Sequence, residues 1–180
     1  MAVETKLVSS DLADALHAGL IAAGVRHCIY LPDSVMGPLT DRCERDARID
    51  TLVCAREDEG IAVAAGLFVT GRRAVVMMEA SGIGLSGLIL ARAQIQRTPV
   101  FIMASHGALL GEAFDFHAAT NAAGRGVVAG LGISSYALGG QDDPAEIVRL
   151  ALDSVHGQRT SFAIFIPPHL MVRGSSAGRA

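Results

Sequence analysis

The stretch Arg73-Ala74-Val75-Val76-Met77-Met78-Glu79, followed at once by Ala80-Ser81-Gly82-Ile83-Gly84-Leu85-Ser86-Gly87, decides the fold. An unbroken apolar run between an arginine and a glutamate reads as a strand buried on both faces, as strands of parallel sheets are. The glycines after it read as a turn leading into a helix that reaches about Gln96. Gly82, Gly84 and Gly87 match GxGxxG, which between a strand and a helix can seat a dinucleotide pyrophosphate. Two features argue against that use. The motif follows a strand in the middle of the chain, and the next strand ends at Ser105-His106 with no acid to hold a ribose. The glycines still mark a place where the backbone closely approaches something else.

The same alternation continues outward in both directions. Upstream, Ser10 can cap a helix carrying Leu12, Leu16 and Leu20 on one face and ended by Gly24. An apolar strand at 27–31 stops at Pro32, and a turn at 33–39 opens a second helix. A strand at 51–55 then precedes a helix of small residues over about 58–69. Downstream come a strand at 99–104, a long loop at 105–116, and a helix over about 116–131. A short strand near 133–138, a helix at 144–155 and a strand at 162–166 complete the series. Strands alternating with helices predict an α/β fold with a parallel sheet flanked by helices. Residues 1–172 read as one domain, and the Gly/Ser/Ala-rich residues 173–180 as a flexible tail.

Composition narrows the function classes. Hydrophobic residues make up 51% of the 180 positions, and the mean hydropathy of +0.40 is high for a soluble monomer. No apolar run reaches the ~18 residues of a membrane span, and Glu4 and Lys6 interrupt any signal-peptide core. The surplus apolarity therefore points to large contacts between chains. A net charge of −3, with no tryptophan and two tyrosines, gives no case for nucleic acid. Three cysteines without CxxC spacing indicate neither a disulfide framework nor a zinc site; they read as buried thiols in a reducing cytoplasm. The histidines show no metal-ligand spacing.

Arg56-Glu57-Asp58-Glu59-Gly60 sets three acids where a strand gives way to a helix. Carboxylates in a first helical turn commonly offset the helix dipole. Ligands of open α/β sheets, however, bind outside the carboxyl ends of strands, where Glu57 falls. Both readings stand on the residues alone. Asp115 and His117 lie two apart in the long loop, where a histidine acts either in acid–base work or as a solvated side chain. Ser81 lacks the GxSxG setting of a catalytic serine.

Three segments in register carry a family resemblance. Leu31-Pro32-Asp33-Ser34 with Pro38-Leu39 resembles the "PDS…PL" loop of phosphonopyruvate and sulfopyruvate decarboxylases. Arg56 to Gly60, with Ala64-Ala65-Gly66 and Thr70-Gly71, resembles their acid followed by an alanine-rich helix. Ser81-Gly82-Ile83-Gly84 resembles their "SGLGN" turn, with Leu85 in place of the asparagine. The resemblance runs from about residue 8 to residue 170. It implies the pyrimidine-binding fold of thiamine diphosphate enzymes, a six-stranded parallel sheet. It also implies that a glutamate hydrogen-bonds the cofactor's pyrimidine ring and so promotes ylid formation, with the cofactor then serving as electron sink. Spacing to Gly66 matches Glu57 to that acid; counting from Gly60 would select Asp58, but the family acid is a glutamate, so the resemblance implies Glu57 as the catalytic and cofactor-binding residue.

By the same resemblance Pro32, Asp33, Ser81, Gly82 and Gly84 are expected at the cofactor. Asp33, His106 and His117 are expected at the substrate, with His117 also catalytic. The family's diphosphate and magnesium anchor, Gly-Asp-Gly with a later asparagine, is missing, and Asn121 is the one asparagine. The chain therefore resembles the α subunit of a split sulfopyruvate decarboxylase, a cytoplasmic hetero-oligomer whose β chain would hold Mg2+ and the diphosphate. The expected substrate is a short acidic 2-oxoacid, foremost 3-sulfopyruvate. Phosphonopyruvate, another 2-oxoacid, or a non-catalytic binding role are the alternatives.

Overall fold

The computed structural model describes residues 6–106 and 114–173. The expected fold class is what it shows: six parallel strands with helices on both faces. In chain order the sheet uses β2 (His27–Tyr30), β3 (Asp50–Val53), β4 (Ala74–Glu79), β5 (Phe101–Ser105), β6 (Ser134–Ala137) and β7 (Phe162–Ile166). Their spatial order is β3-β2-β4-β5-β7-β6, so β3 lies outside β2 and β4 lies inside it. The connections that follow β2 and β4 thus run to opposite faces of the sheet, and the crevice between diverging connections is the natural ligand site of such sheets.

The apolar strands serve two cores at once. Val75 and Met77 of β4 and Phe101 and Met103 of β5 pack into one cluster with Leu16, Leu20, Leu39 and Leu152. Their alternate neighbours Val76, Met78, Ile102 and Ala104 pack into the other with Ile61, Ile83, Leu90 and Val128. Side chains of a strand alternate between faces, so burial on both sides demands the unbroken apolar run. The first cluster lies under α1 (Ser10–Ala22), α2 (Gly37–Arg45) and α7 (Pro144–Gly157). The second lies under α3 (Glu57–Val69), α4 (Ala80–Leu85), α5 (Gly87–Gln96) and α6 (Phe116–Gly130).

Three expectations are corrected. The glycine-rich segment after β4 is a helix: α4 begins at Ala80 and breaks only at Ser86 before α5. Gly82 and Gly84 sit inside it for close packing, while positive φ among the described glycines falls at Gly24, Gly71 and Gly132. The cap of α1 is Ser9, whose hydroxyl accepts from Leu12 N at 3.2 Å. A short antiparallel pair of β1 (Lys6–Val8) and β8 (Met171–Arg173) was not expected. Arg173, assigned to the tail by sequence, is thus paired with Lys6; residues 174–180 and the loop residues 107–113 lie outside the described residues. The three cysteines are buried thiols. No described helix is long and apolar enough to cross a membrane.

Candidate functional site

The carboxyl ends of β2, β3 and β4 enclose a cleft of about 530 Å³ lined by Leu31, Pro32, Asp33, Ser34, Cys54, Ala55, Glu57 and Glu79. Its position follows from topology, since three strand ends meet there beside the switch in winding direction. The three carboxyl groups arrive from different elements. Asp33 leaves the end of β2, Glu57 opens α3, and Glu79 ends β4.

The structure separates the three neighbouring acids at the start of α3. Asp58 pairs with Arg56 at 2.9 Å, and Glu59 Oε2 accepts from Ala55 N at 3.3 Å. Those two serve the helix terminus. Glu57 lies in the cleft, its side chain against Gly82, where an added Cβ would come 2.3 Å from Glu57 Cγ. Gly82 is therefore glycine because Glu57 occupies the space of its missing side chain.

Asp33 is held on both oxygens: Val35 N donates to Oδ1 at 2.9 Å and Ser105 Oγ to Oδ2 at 2.6 Å. Burial pushes its carboxyl above the usual aspartate range, and the charge of Glu79 pushes the same way. The Ser105 and Val35 hydrogen bonds and His106 oppose that rise without cancelling it. The folded state thus binds this proton more tightly than the unfolded chain does. The associated stability is present below the unfolded value and is lost as pH rises through the folded one. Asp33→Asn, which keeps the shape, is expected to raise the melting temperature at neutral pH. That gain should shrink as pH falls toward about 3.9, the ordinary aspartate value. Thermal melts of both chains across pH check it, and a destabilised Asp33→Asn at neutral pH would refute the assignment.

His106 and His117 come together although the loop between them spans ten positions of sequence. Their rings stack at 3.8 Å between centroids, and Phe116 meets His117 edge-on at 4.2 Å. His106 is buried at the end of β5 with φ of 53°, a conformation unfavourable for a non-glycine residue and concentrated at functional sites. Ser81 lies in the first turn of α4 and does not line the cleft. Gly84 turns away from it toward Ala123 of α6, where a Cβ would lie 2.8 Å from the alanine methyl. Sequence reasoning missed Ser105, Glu79 and Thr120, which contribute polar groups here. For the first two a signal existed, namely a polar residue closing an otherwise apolar strand. Among the described residues no cluster of His, Cys, Asp or Glu is arranged to hold a metal ion.

A larger open cavity, about 690 Å³, lies at the other end of the sheet around Arg26, Arg72 and Arg73. Arg73 there donates to the carbonyl of Ala23 at the end of α1 at 2.7 Å. That contact is what a cation does at a helix C-terminus.

A doubly wound sheet with a carboxyl-lined cleft at its switch point defines a cofactor-binding α/β domain. Residues 10–113 match the model of the thiamine pyrophosphate enzyme N-terminal TPP-binding domain, more than half of the chain. The chain belongs to that family. It is 29% identical over 103 residues to the sulfopyruvate decarboxylase subunit alpha of Methanothermobacter thermautotrophicus, covering 57% of this chain and 62% of the relative. The subunit alpha of Methanococcus maripaludis is 27% identical over 97 residues, covering 53% and 58%. In each case the match spans less than two thirds of the relative's length. Among solved structures, 2-oxoglutarate:ferredoxin oxidoreductase from Magnetococcus marinus superposes with a TM-score of 0.66 at 16% identity, covering 88% of this chain and 29% of that one. That likeness speaks to fold alone.

Proposed function

We propose that this chain is the pyrimidine-binding α subunit of a thiamine diphosphate-dependent decarboxylase acting on a short acidic 2-oxoacid, foremost 3-sulfopyruvate. The observation that carries the reading is the one-sided chemistry of the cleft. Asp33, Glu57 and Glu79 line it, with no lysine or arginine among the lining residues. Such a donor set suits an aminopyrimidine, whose ring nitrogens exchange protons with a carboxyl group, and repels a diphosphate. The diphosphate and Mg2+ therefore belong to a partner, and the relatives named as subunit alpha support the division.

Bound thiamine diphosphate supplies the nucleophilic carbon and the electron sink for loss of carbon dioxide. The chain's own residues handle protons and orientation. Glu57 holds or shares a proton at the pyrimidine ring, and Gly82 leaves room for it. Asp33, backed by Ser105, offers a second proton-bearing group, and Pro32 stiffens its loop. Ser81 acts indirectly, by starting the helix that brings Gly82 to Glu57. His106 and His117 present imidazole N–H groups to the acidic end of the substrate.

The partner's docking face is the α3–α5 surface. Val69, Leu85, Leu88 and Ile95 are each at least 70% exposed there, more than scattered surface residues require. The face reaches the start of α3, where Asp58 and Glu59 line one groove with Leu85 and Leu88. A partner seated on it would close the cleft.

Reconstitution tests the proposal. The chain alone is expected to release no carbon dioxide from 3-sulfopyruvate and to bind thiamine diphosphate weakly by calorimetry. Mixed with a partner carrying the diphosphate half, it is expected to release carbon dioxide and sulfoacetaldehyde, and to do so faster than it decarboxylates phosphonopyruvate. Tight, Mg2+-dependent cofactor binding by the lone chain would overturn the split. A preference for phosphonopyruvate would overturn the substrate.

A further inference from the structure

Glu79 lines the cleft and also reaches α6, so it touches both sides of the site. Its Oε1 accepts from Thr120 Oγ1 at 3.0 Å, and Thr120 is buried. Thr120 stands three residues after His117 on α6, so the two share a helix face. Farther along the same helix, Gly124 sits so close to Ala80 that an added Cβ would lie 2.5 Å from the Ala80 carbonyl oxygen. The end of β4 and the start of α4 thus clasp α6 at two points, and the first of them is Glu79.

We propose that Glu79 is a positioning residue: its bond to Thr120 fixes the start of α6, and with it the stacked His106–His117 pair, while its carboxyl shares the cleft with Asp33 and acts on it from the opposite wall. The role in turnover rests on the decarboxylase reading above, but the two physical effects do not.

Two carboxyl groups sharing a partly desolvated cleft disfavour each other's ionised form. The groups acting on Asp33 are Glu79 from β4, Ser105 and His106 from the end of β5, and the Val35 backbone N–H on its own loop; Glu57 of α3 lines the same cleft. Of these, Glu79 is the charge that raises the proton affinity of Asp33 in addition to burial.

Two variants divide the roles. Glu79→Gln keeps an acceptor oxygen for Thr120 and removes the charge. Thr120→Val keeps the charge and removes the hydrogen bond. Both can be read on the full chain without cofactor or partner, by carboxyl-carbon titration of Asp33 and by ring-proton contacts between His106 and His117. Asp33→Asn identifies the Asp33 signal. Glu79→Gln is expected to shift the Asp33 midpoint downward and keep the ring contacts. Thr120→Val is expected to lose or weaken the ring contacts while Asp33 stays above the ordinary aspartate range. An unmoved Asp33 midpoint in Glu79→Gln overturns the electrostatic half, and intact ring contacts in Thr120→Val overturn the latch. A chain that shows both effects but lacks decarboxylase activity with any partner would instead sink the functional reading and leave this one standing.

Discussion

Glu57→Gln is expected to fold, assemble with its partner and retain thiamine diphosphate, yet turn over more slowly by about 10²–10⁴-fold, the usual loss for a positioned acid–base group. Glutamine keeps the volume in contact with Gly82 and one acceptor oxygen, but it cannot share a proton. The neighbouring acids provide internal controls because the structure gives them other partners. Asp58→Asn breaks an exposed pair with Arg56, and Glu59→Gln keeps an acceptor for Ala55 N; both are expected to be mild. If the three acids served only the dipole of α3, all three changes would spare activity. Proton–deuterium exchange at the thiazolium carbon, followed in the reconstituted complex for wild type and the three variants, separates these readings. Normal exchange in Glu57→Gln with a defect in Asp58→Asn would move the role by one residue. Normal exchange in all three would abolish it.

What could be read in sequence, and what could not, follows from the range of each interaction. The strands of the sheet were legible because β4 and β5 need apolar residues at every position to feed two cores. Asp33 and Glu57 were legible as strand-end polar residues, a purely local signal. The helix α4 was misread as a turn because glycine ordinarily signals freedom of φ. Here Gly82 and Gly84 adopt helical backbone and are small so that Glu57 and Ala123 can approach. The pattern did mark a close approach, but the partner Glu57 lies 25 residues back, and no local pattern names it. The β1–β8 pair joins three-residue strands from opposite ends of the described chain, too short for any periodicity. Thr120 escaped notice for the same reason, since its value depends on α6 packing against β4. Contacts set by tertiary packing are the ones that propensity and spacing leave out.

Gly82→Ala carries the second large effect, and it acts at a distance of one side chain from the chemistry. The new Cβ would lie 2.3 Å from Glu57 Cγ, 3.1 Å from Glu57 Cβ and 2.9 Å from Met78 Sδ. Restoring ordinary contact requires the Glu57 side chain to move by about 1 Å, a displacement that can cost about 10²-fold in rate at a reacting group. Helix propensity favours alanine over glycine inside α4, so the helix itself should persist. The variant should therefore lose turnover while melting close to wild type. Gly124→Ala makes the opposite contrast: its Cβ would strike the Ala80 carbonyl at 2.5 Å, and backbone cannot step aside as a side chain can, so it should melt early. Gly126→Ala on the same helix meets nothing within 4 Å and should be neutral or slightly stabilising. A double-mutant cycle completes the test. If Gly82→Ala works only by displacing Glu57, its effect on turnover should nearly vanish in a Glu57→Gln background, where the proton-sharing group is already gone. A full additional loss in that background would show that Gly82 serves the site through something other than Glu57.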